Sequence, residues 1–183
     1  LTQEDKFKVS EKAWRKGGSK MFVEVNSDVS VNDLLHGIIV QSGNDAAIVV
    51  AEGLAGTEEA FAEEMTAEAR KIGMTKSVFK NATGWPDESH MVTVHDLAIL
   101  ARDTIRNFPE LYKLYAVKEF TYNGIRQPNR NPLLGTSAGV DGMKTGHTET
   151  AGYGLTATAE RDGRRLILVV NGLGSVRERR TES

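Results

Sequence analysis

The chain has 183 residues, enough for one substantial core or two small ones. Its 23 lysines and arginines against 25 aspartates and glutamates leave a net charge of −2, so it lacks the electrostatic footprint of a nucleic-acid or other polyanion binder. With no cysteine it carries no disulfide, Cys nucleophile or thiolate metal site, and no apolar run approaches the roughly 18 residues of a membrane-spanning helix.

In chain order, residues 7–14 and 21–26 carry β-formers (Phe7, Val9; Met21, Val23, Val25) around Gly17-Gly18 and predict two short extended segments. Ser30 to Asp33 forms a capping box before Leu34, Leu35, Ile38 and Ile39, which follow at helical spacing. A second helix starts near Asp45, after Ser42-Gly43-Asn44, and its Ala46, Ala47, Val49, Val50, Ala51 and Leu54 are apolar almost all round, the pattern of a buried helix. Phe61, Met65, Ala69 and Ile72 define a third, ending at Gly73. Asn81 to Met91 is a polar loop, and Thr93 to Phe108 an amphipathic helix between a Thr93/Asp96 start signal and a Pro109 stop.

Beyond residue 115 the period becomes alternating. Glu119–Tyr122 and Ile125–Gln127 flank Asn123-Gly124, a strong hairpin signal. Val140 to Lys144 predicts a strand, and Tyr153–Glu160 with Arg164–Val170 a second hairpin around Asp162-Gly163. The basic residues Arg161, Arg164 and Arg165, with the terminal Arg177, Arg179 and Arg180, fall on solvated turns and ends. The layout is α+β, with a helical part over about 30–115 packed on an antiparallel sheet drawn from 1–29 and 116–183.

Two short motifs lie about a hundred residues apart in the chain. In Ser42-Gly43-Asn44 the hydroxyl can relay a proton and the amide can both donate and accept, while the glycine allows a tight turn; equally, Ser42 or Asn44 caps the second helix. Lys144-Thr145-Gly146, with His147 and Thr148, offers a cation and hydroxyls on a strand edge. Gly142 and Gly146 strip that edge of side chains so that an extended peptide can pair with it, although a lysine before a glycine is also an ordinary solvated edge residue. Arg130, between Asn129 and Asn131, is either a loop cation or a two-pronged carboxylate ligand. His90 and His95 have no carboxylate–histidine spacing for a metal, and His36 lies on an apolar helix.

Ser42-Gly43-Asn44-Asp45-Ala46-Ala47, the run from Phe120 through Asn123-Gly124 to Asn129-Arg130-Asn131, and Val140-Asp141-Gly142-Met143-Lys144-Thr145-Gly146-His147-Thr148 together resemble the D-alanyl-D-alanine carboxypeptidases, the low-molecular-mass penicillin-binding proteins of bacterial cell walls. The resemblance extends over nearly all of the chain and implies a penicillin-binding-protein/β-lactamase-like transpeptidase fold, here incomplete. It also implies a serine peptidase acting through an acyl-enzyme on peptidoglycan stem peptides ending in D-Ala-D-Ala, acylated likewise by β-lactam antibiotics. By motif, Ser42 takes part in proton relay and Asn44 holds the substrate peptide and orients the catalytic lysine. Lys144 adds positive potential, Thr145, beside Gly146, binds the terminal carboxylate with Arg130, and the His147 backbone N–H supplies half of an oxyanion hole. The family uses neither metal nor organic cofactor, and works in the periplasm or on the extracytoplasmic face of the envelope, with membrane contact only through segments outside this chain.

One motif of the set has no counterpart in position. The S-x-x-K serine of the family precedes S-G-N, and the only such string here, Ser77-Val78-Phe79-Lys80, follows it, as a chance match. The chain is therefore expected to be an interior piece of one peptidase domain, truncated at both ends, inactive alone, with the nucleophile upstream. The competing expectations are a class A-like β-lactamase, for which no E-x-x-x-N loop is found before K-T-G, and a noncatalytic wall-binding module.

Overall fold

The computed structural model describes all of residues 1–183. A short strand β1 (Lys6–Lys8) and helix α1 (Glu11–Arg15) lead through an irregular segment to β2 (Asp28–Ser30), which pairs antiparallel with β1. Helices α2 (Val31–Ile39), α3 (Asn44–Ala55), α4 (Glu58–Lys71) and α5 (Val94–Asn107) follow, then a short α6 (Pro109–Tyr112) running into a 3-10 turn. Strands β3 (Glu119–Tyr122) and β4 (Ile125–Pro128) form a separate hairpin, and β5 (Val140–Thr148), β6 (Gly152–Arg161) and β7 (Arg164–Leu173) an antiparallel sheet in the order β5-β6-β7. A final helix α7 spans Val176–Thr181. No helix is long and apolar enough to cross a membrane.

Local chemistry explains most boundaries. The Ser30 hydroxyl accepts from the Asp33 N–H and donates to the Asp33 carboxylate, closing the start of α2. Thr93 does the same service for Asp96 N–H at α5. The two hairpin turns have positive φ at both central residues, Asn123 and Gly124 in one, Asp162 and Gly163 in the other, which suits the twist of the strands they join.

The main core lies between β1–β2, α2 and α3, where Val9, Met21, Val29, Leu34, Ile48 and Val49 are fully or almost fully buried. Each such side chain contributes about 1.5–3 kcal/mol. Phe7 occupies the space a side chain at position 53 would need, so Gly53 lets β1 close onto α3. A second cluster, Ala101, Tyr112 and Met143, joins α5 and α6 to the sheet, and a third, Leu133, Leu155 and Ala157, seats the segment before β5 on it.

The α+β class holds, with four departures. The extended segment expected over 7–14 ends at Lys8: Ser10 accepts from the Ala13 N–H and starts α1 instead. No strand forms over 21–26. Met21 and Val23 do alternate into the core, but the amides of Met21, Phe22 and Val23 all donate to the Asp45 carboxylate, and Phe22 has φ +69°. The N-terminal strands consequently pair only with each other and do not join the β5-β6-β7 sheet. Pro109 stops α5 but opens α6, and Leu54, on the buried-looking α3, is half exposed.

Candidate active site

Ser42 sits between α2 and α3 with φ +60°, a left-handed conformation that costs a non-glycine residue about 1–2 kcal/mol and tends to persist where function requires it. Gly43 has ordinary dihedrals; its lack of a side chain matters because a Cβ there would meet the Asp45 carboxylate and the Met21 amide at 2.9 and 3.0 Å. Neither Ser42 nor Asn44 caps α3, whose N-cap is Gly43 without a side-chain hydrogen bond. Asn44 instead receives the irregular segment: its N–H donates to the Ser19 carbonyl at 2.8 Å and its side-chain amide to the Gly17 carbonyl at 3.0 Å. Asp45, 1% exposed, accepts from the amides of Met21, Phe22, Val23 and Ala46. One buried carboxylate thus fixes residues 17–23 against Ser42-Gly43-Asn44. Trp85, under the Lys16 ammonium, flanks Gly18 on the same rim.

The opposite wall is β5, the edge strand of its sheet. Lys144 reaches across to donate to the Ser42 hydroxyl at 2.6 Å, and also donates to the Thr145 carbonyl at 3.2 Å. Burial, then the charges of Arg130 and Arg179, push its pKa down to about 8. Gly146 has open space around it, as an edge meant for a close neighbour requires, whereas Gly142 is a glycine because Tyr112 and Thr158 fill its side-chain position. His147 is exposed and packs its ring on Tyr153 with centroids 4.0 Å apart.

Arg130 is aimed by its neighbours. Asn129 donates to the Val117 carbonyl and Asn131 to the Gly142 carbonyl, so the loop is tied at two points while the Arg130 guanidinium reaches the Ser19 hydroxyl. A third cation joins this group from α7. Arg179 is 7% exposed, lies over the Tyr153 ring at 5.5 Å, donates to the Gly146 carbonyl at 3.4 Å, and leaves its Nε without a partner. Burial lowers the pKa of both arginines, and each also repels its cationic neighbours. Lys144, Arg130 and Arg179 therefore converge with no ion-paired carboxylate among them, an arrangement suited to an anion.

Sequence reasoning took Arg179 for a solvated chain end. The available signal was Ser175-Val176-Arg177-Glu178, a capping box in which Ser175 accepts from the Glu178 N–H; it predicts α7 and turns Arg179 inward. Ser77 stands apart from the site: it is fully buried and donates to Asp96 at 2.7 Å. His90 receives the Lys80 N–H and packs edge-on against Phe79, His95 is exposed beside Asp96, and His36 stacks on Phe120.

The family profile described as D-alanyl-D-alanine carboxypeptidase matches residues 1–174. The chain is 46% identical over 169 residues to the D-alanyl-D-alanine carboxypeptidase DacC of Escherichia coli, covering 92% of this chain and 42% of that protein. It is 42% identical to DacA of Haemophilus influenzae, covering 98% and 47%. Among solved structures, the D-alanyl-D-alanine carboxypeptidase DacD from Francisella tularensis superposes with a TM-score of 0.98 at 36% identity, over 100% of this chain and 57% of that one. Penicillin-binding protein D2 from Listeria monocytogenes, solved in an ampicillin-bound form, superposes at 0.87 with 32% identity, over 100% and 75%. The fold is that of the penicillin-binding D,D-peptidases, and the chain belongs to the D-alanyl-D-alanine carboxypeptidase family. It spans about half the length of the curated relatives it matches, 42% in one and 47% in another.

Proposed function

We propose that the protein containing this chain is a serine-type D,D-carboxypeptidase that removes the terminal D-alanine from peptidoglycan stem peptides at the periplasmic or extracytoplasmic face of the cell envelope. The observation that carries this reading is the 2.6 Å contact from Lys144 to Ser42 beside two further cations that have no carboxylate partner. A peptide whose C-terminal carboxylate enters that pocket places its last amide bond beside Ser42 and Asn44.

In this reading a serine on an S-x-x-K helix, contributed by a segment preceding Leu1, attacks the penultimate D-alanine carbonyl. The C–N bond breaks, D-alanine leaves with a proton, and water hydrolyses the ester. Ser42 supplies the relay: because its oxygen accepts from Lys144, its own hydroxyl hydrogen is free to point into the cleft, and the adjacent cation makes it a better proton donor. Asn44 orients substrate and lysine. Thr145, Arg130 and Arg179 take the carboxylate, the open Gly146 edge lets the peptide pair with β5, and the His147 N–H supports the oxyanion. β-Lactams acylate the same serine; the ampicillin-bound relative, at 32% identity, supports that extension. No step calls for a metal or organic cofactor.

The test is D-alanine release from a D-Ala-D-Ala peptide by the full-length protein, with labelling by a fluorescent penicillin mapped by mass spectrometry. Labelling upstream of Leu1, and none on residues 1–183 expressed alone, is expected. An acyl adduct on Ser77, or penicillin turnover with no D-alanine release, would overturn the reading.

A further inference from the structure

Beyond Gly146, the charge along β5 changes sign. The strand's K-T-G end faces Arg130 and Arg179, while its far end runs into the turn 149–151 beside an open cavity of about 330 Å³. This cavity is lined by His147, Glu149, Tyr153 and the glycines Gly152, Gly172 and Gly174, among other residues. Glu149 is the sole acid in its wall, is exposed, and belongs to none of the ion pairs of the sheet, which join Arg165 to Asp141 and Glu160. Tyr153 lines the cavity and also carries Arg179 over its ring, so the cavity continues directly from the cationic pocket. The three glycines leave its floor without side chains.

We infer that this cavity is a subsite for a cationic side chain on the acyl portion of the substrate, with Glu149 as its specificity determinant. The inference rests on the carboxypeptidase reading above, and geometry supplies its scale. A peptide pairing antiparallel with the β5 edge, its carboxylate at Thr145, runs back past Gly146 and His147 towards Glu149. Thr145 and Glu149 are four residues apart, about 13 Å at strand rise. The residue two positions before the peptide's C-terminus lies about 7 Å back along the same direction, and a four-carbon stem reaches about 6 Å further. An ammonium on such a stem therefore arrives at Glu149. The groove is dipolar, and the ligand it fits is a peptide with a terminal carboxylate and a side-chain amine two residues upstream.

The test uses the full-length protein and two acetylated tripeptides X-D-Ala-D-Ala, with X lysine or norleucine, which keeps the stem and lacks the charge. At low salt kcat/KM is expected to favour the lysine peptide about three- to fivefold, the range of a partly exposed ion pair. That ratio shrinks as salt screens the pair. E149Q brings it close to one and E149K inverts it, each variant checked for native circular dichroism. A wild-type ratio of one, or a lysine preference that survives E149Q, overturns the subsite. Absence of D-alanine release from both peptides instead overturns the carboxypeptidase reading, and the subsite falls with it.

Discussion

The two walls of the cleft are held by two aspartates that work in opposite ways. On the helical wall Asp45 is almost fully buried, faces no cation, and satisfies itself with four backbone amides, three of them from a segment with no regular structure. On the sheet wall Asp141 is one-third exposed and takes a two-pronged Arg165 together with the hydroxyls of Tyr112 and Thr158, in strands that already have their ladder. The first carboxylate substitutes for secondary structure; the second decorates it. The consequence is a difference in what each wall loses when its acid is removed.

Asp45→Ala tests that contrast most severely. It leaves several buried N–H groups without acceptors, each costing about 1–3 kcal/mol, so a loss of about 3–5 kcal/mol is expected, read as a fall in the urea midpoint of the full-length protein. Asp45→Asn keeps one acceptor oxygen and should recover part of it. A loss below about 1 kcal/mol for the alanine variant would mean that residues 17–23 are held by something else. Next in size, Lys144→Ala removes the cation that spans both walls. The expected fall in kcat/KM is about 100-fold, the scale of losing one preorganised donor, with the urea midpoint nearly unchanged; a loss under about threefold would take Lys144 out of the reaction.

A pH profile follows from the same residue. Lys144 has a pKa near 8 in the folded chain, against about 10.4 for a free lysine. If its charge holds the substrate carboxylate, kcat/KM falls as pH rises through about 8, and Lys144→Arg moves that basic limb upward. Stability has the opposite slope. The folded state binds this proton less tightly than the unfolded chain, so the penalty for burying the charge is relieved between about pH 8 and 10.4.

The parts of the fold that were legible are those whose signals are local. Ser30/Asp33, Thr93/Asp96, Asn123-Gly124 and Asp162-Gly163 each carry their own geometry within four residues, and the elements they begin or join are where the sequence puts them. Residues 21–26 misled because burial and hydrogen bonding parted company: Met21 and Val23 alternate as in a strand, but their amides go to a carboxylate more than twenty residues away. At the site, the two tripeptides were legible and the structure brings Lys144 and Ser42 together. Arg179 was not, because what makes it part of the cleft is the packing of α7 beside β6, which no spacing encodes. Gly142 was read as an opening in the edge when its neighbours Tyr112 and Thr158 in fact require it.

The smallest expected effect sits on the sheet wall. Burial raises the Asp141 pKa, but the hydrogen bonds from Arg165, Tyr112 and Thr158 outweigh it and hold the carboxyl below its usual range. A carboxylate with a depressed folded pKa stabilises above its unfolded value of about 3.9 and loses that contribution as pH falls through the folded one. With Asp141 one-third and Arg165 one-quarter exposed, solvent screens the pair, and Asp141→Asn should cost only about 1 kcal/mol at neutral pH. The variant's midpoint should then converge on the wild type's as pH is lowered from about 4 towards 2, because the wild type is losing the interaction the variant never had. Asp45→Asn offers the control: its deficit comes from amides left without an acceptor oxygen, which restoring a proton to Asp141 does not touch. If Asp141→Asn costs as much as Asp45→Asn at pH 7, the sheet wall depends on its acid as heavily as the helical wall does, and the distinction between the two aspartates fails.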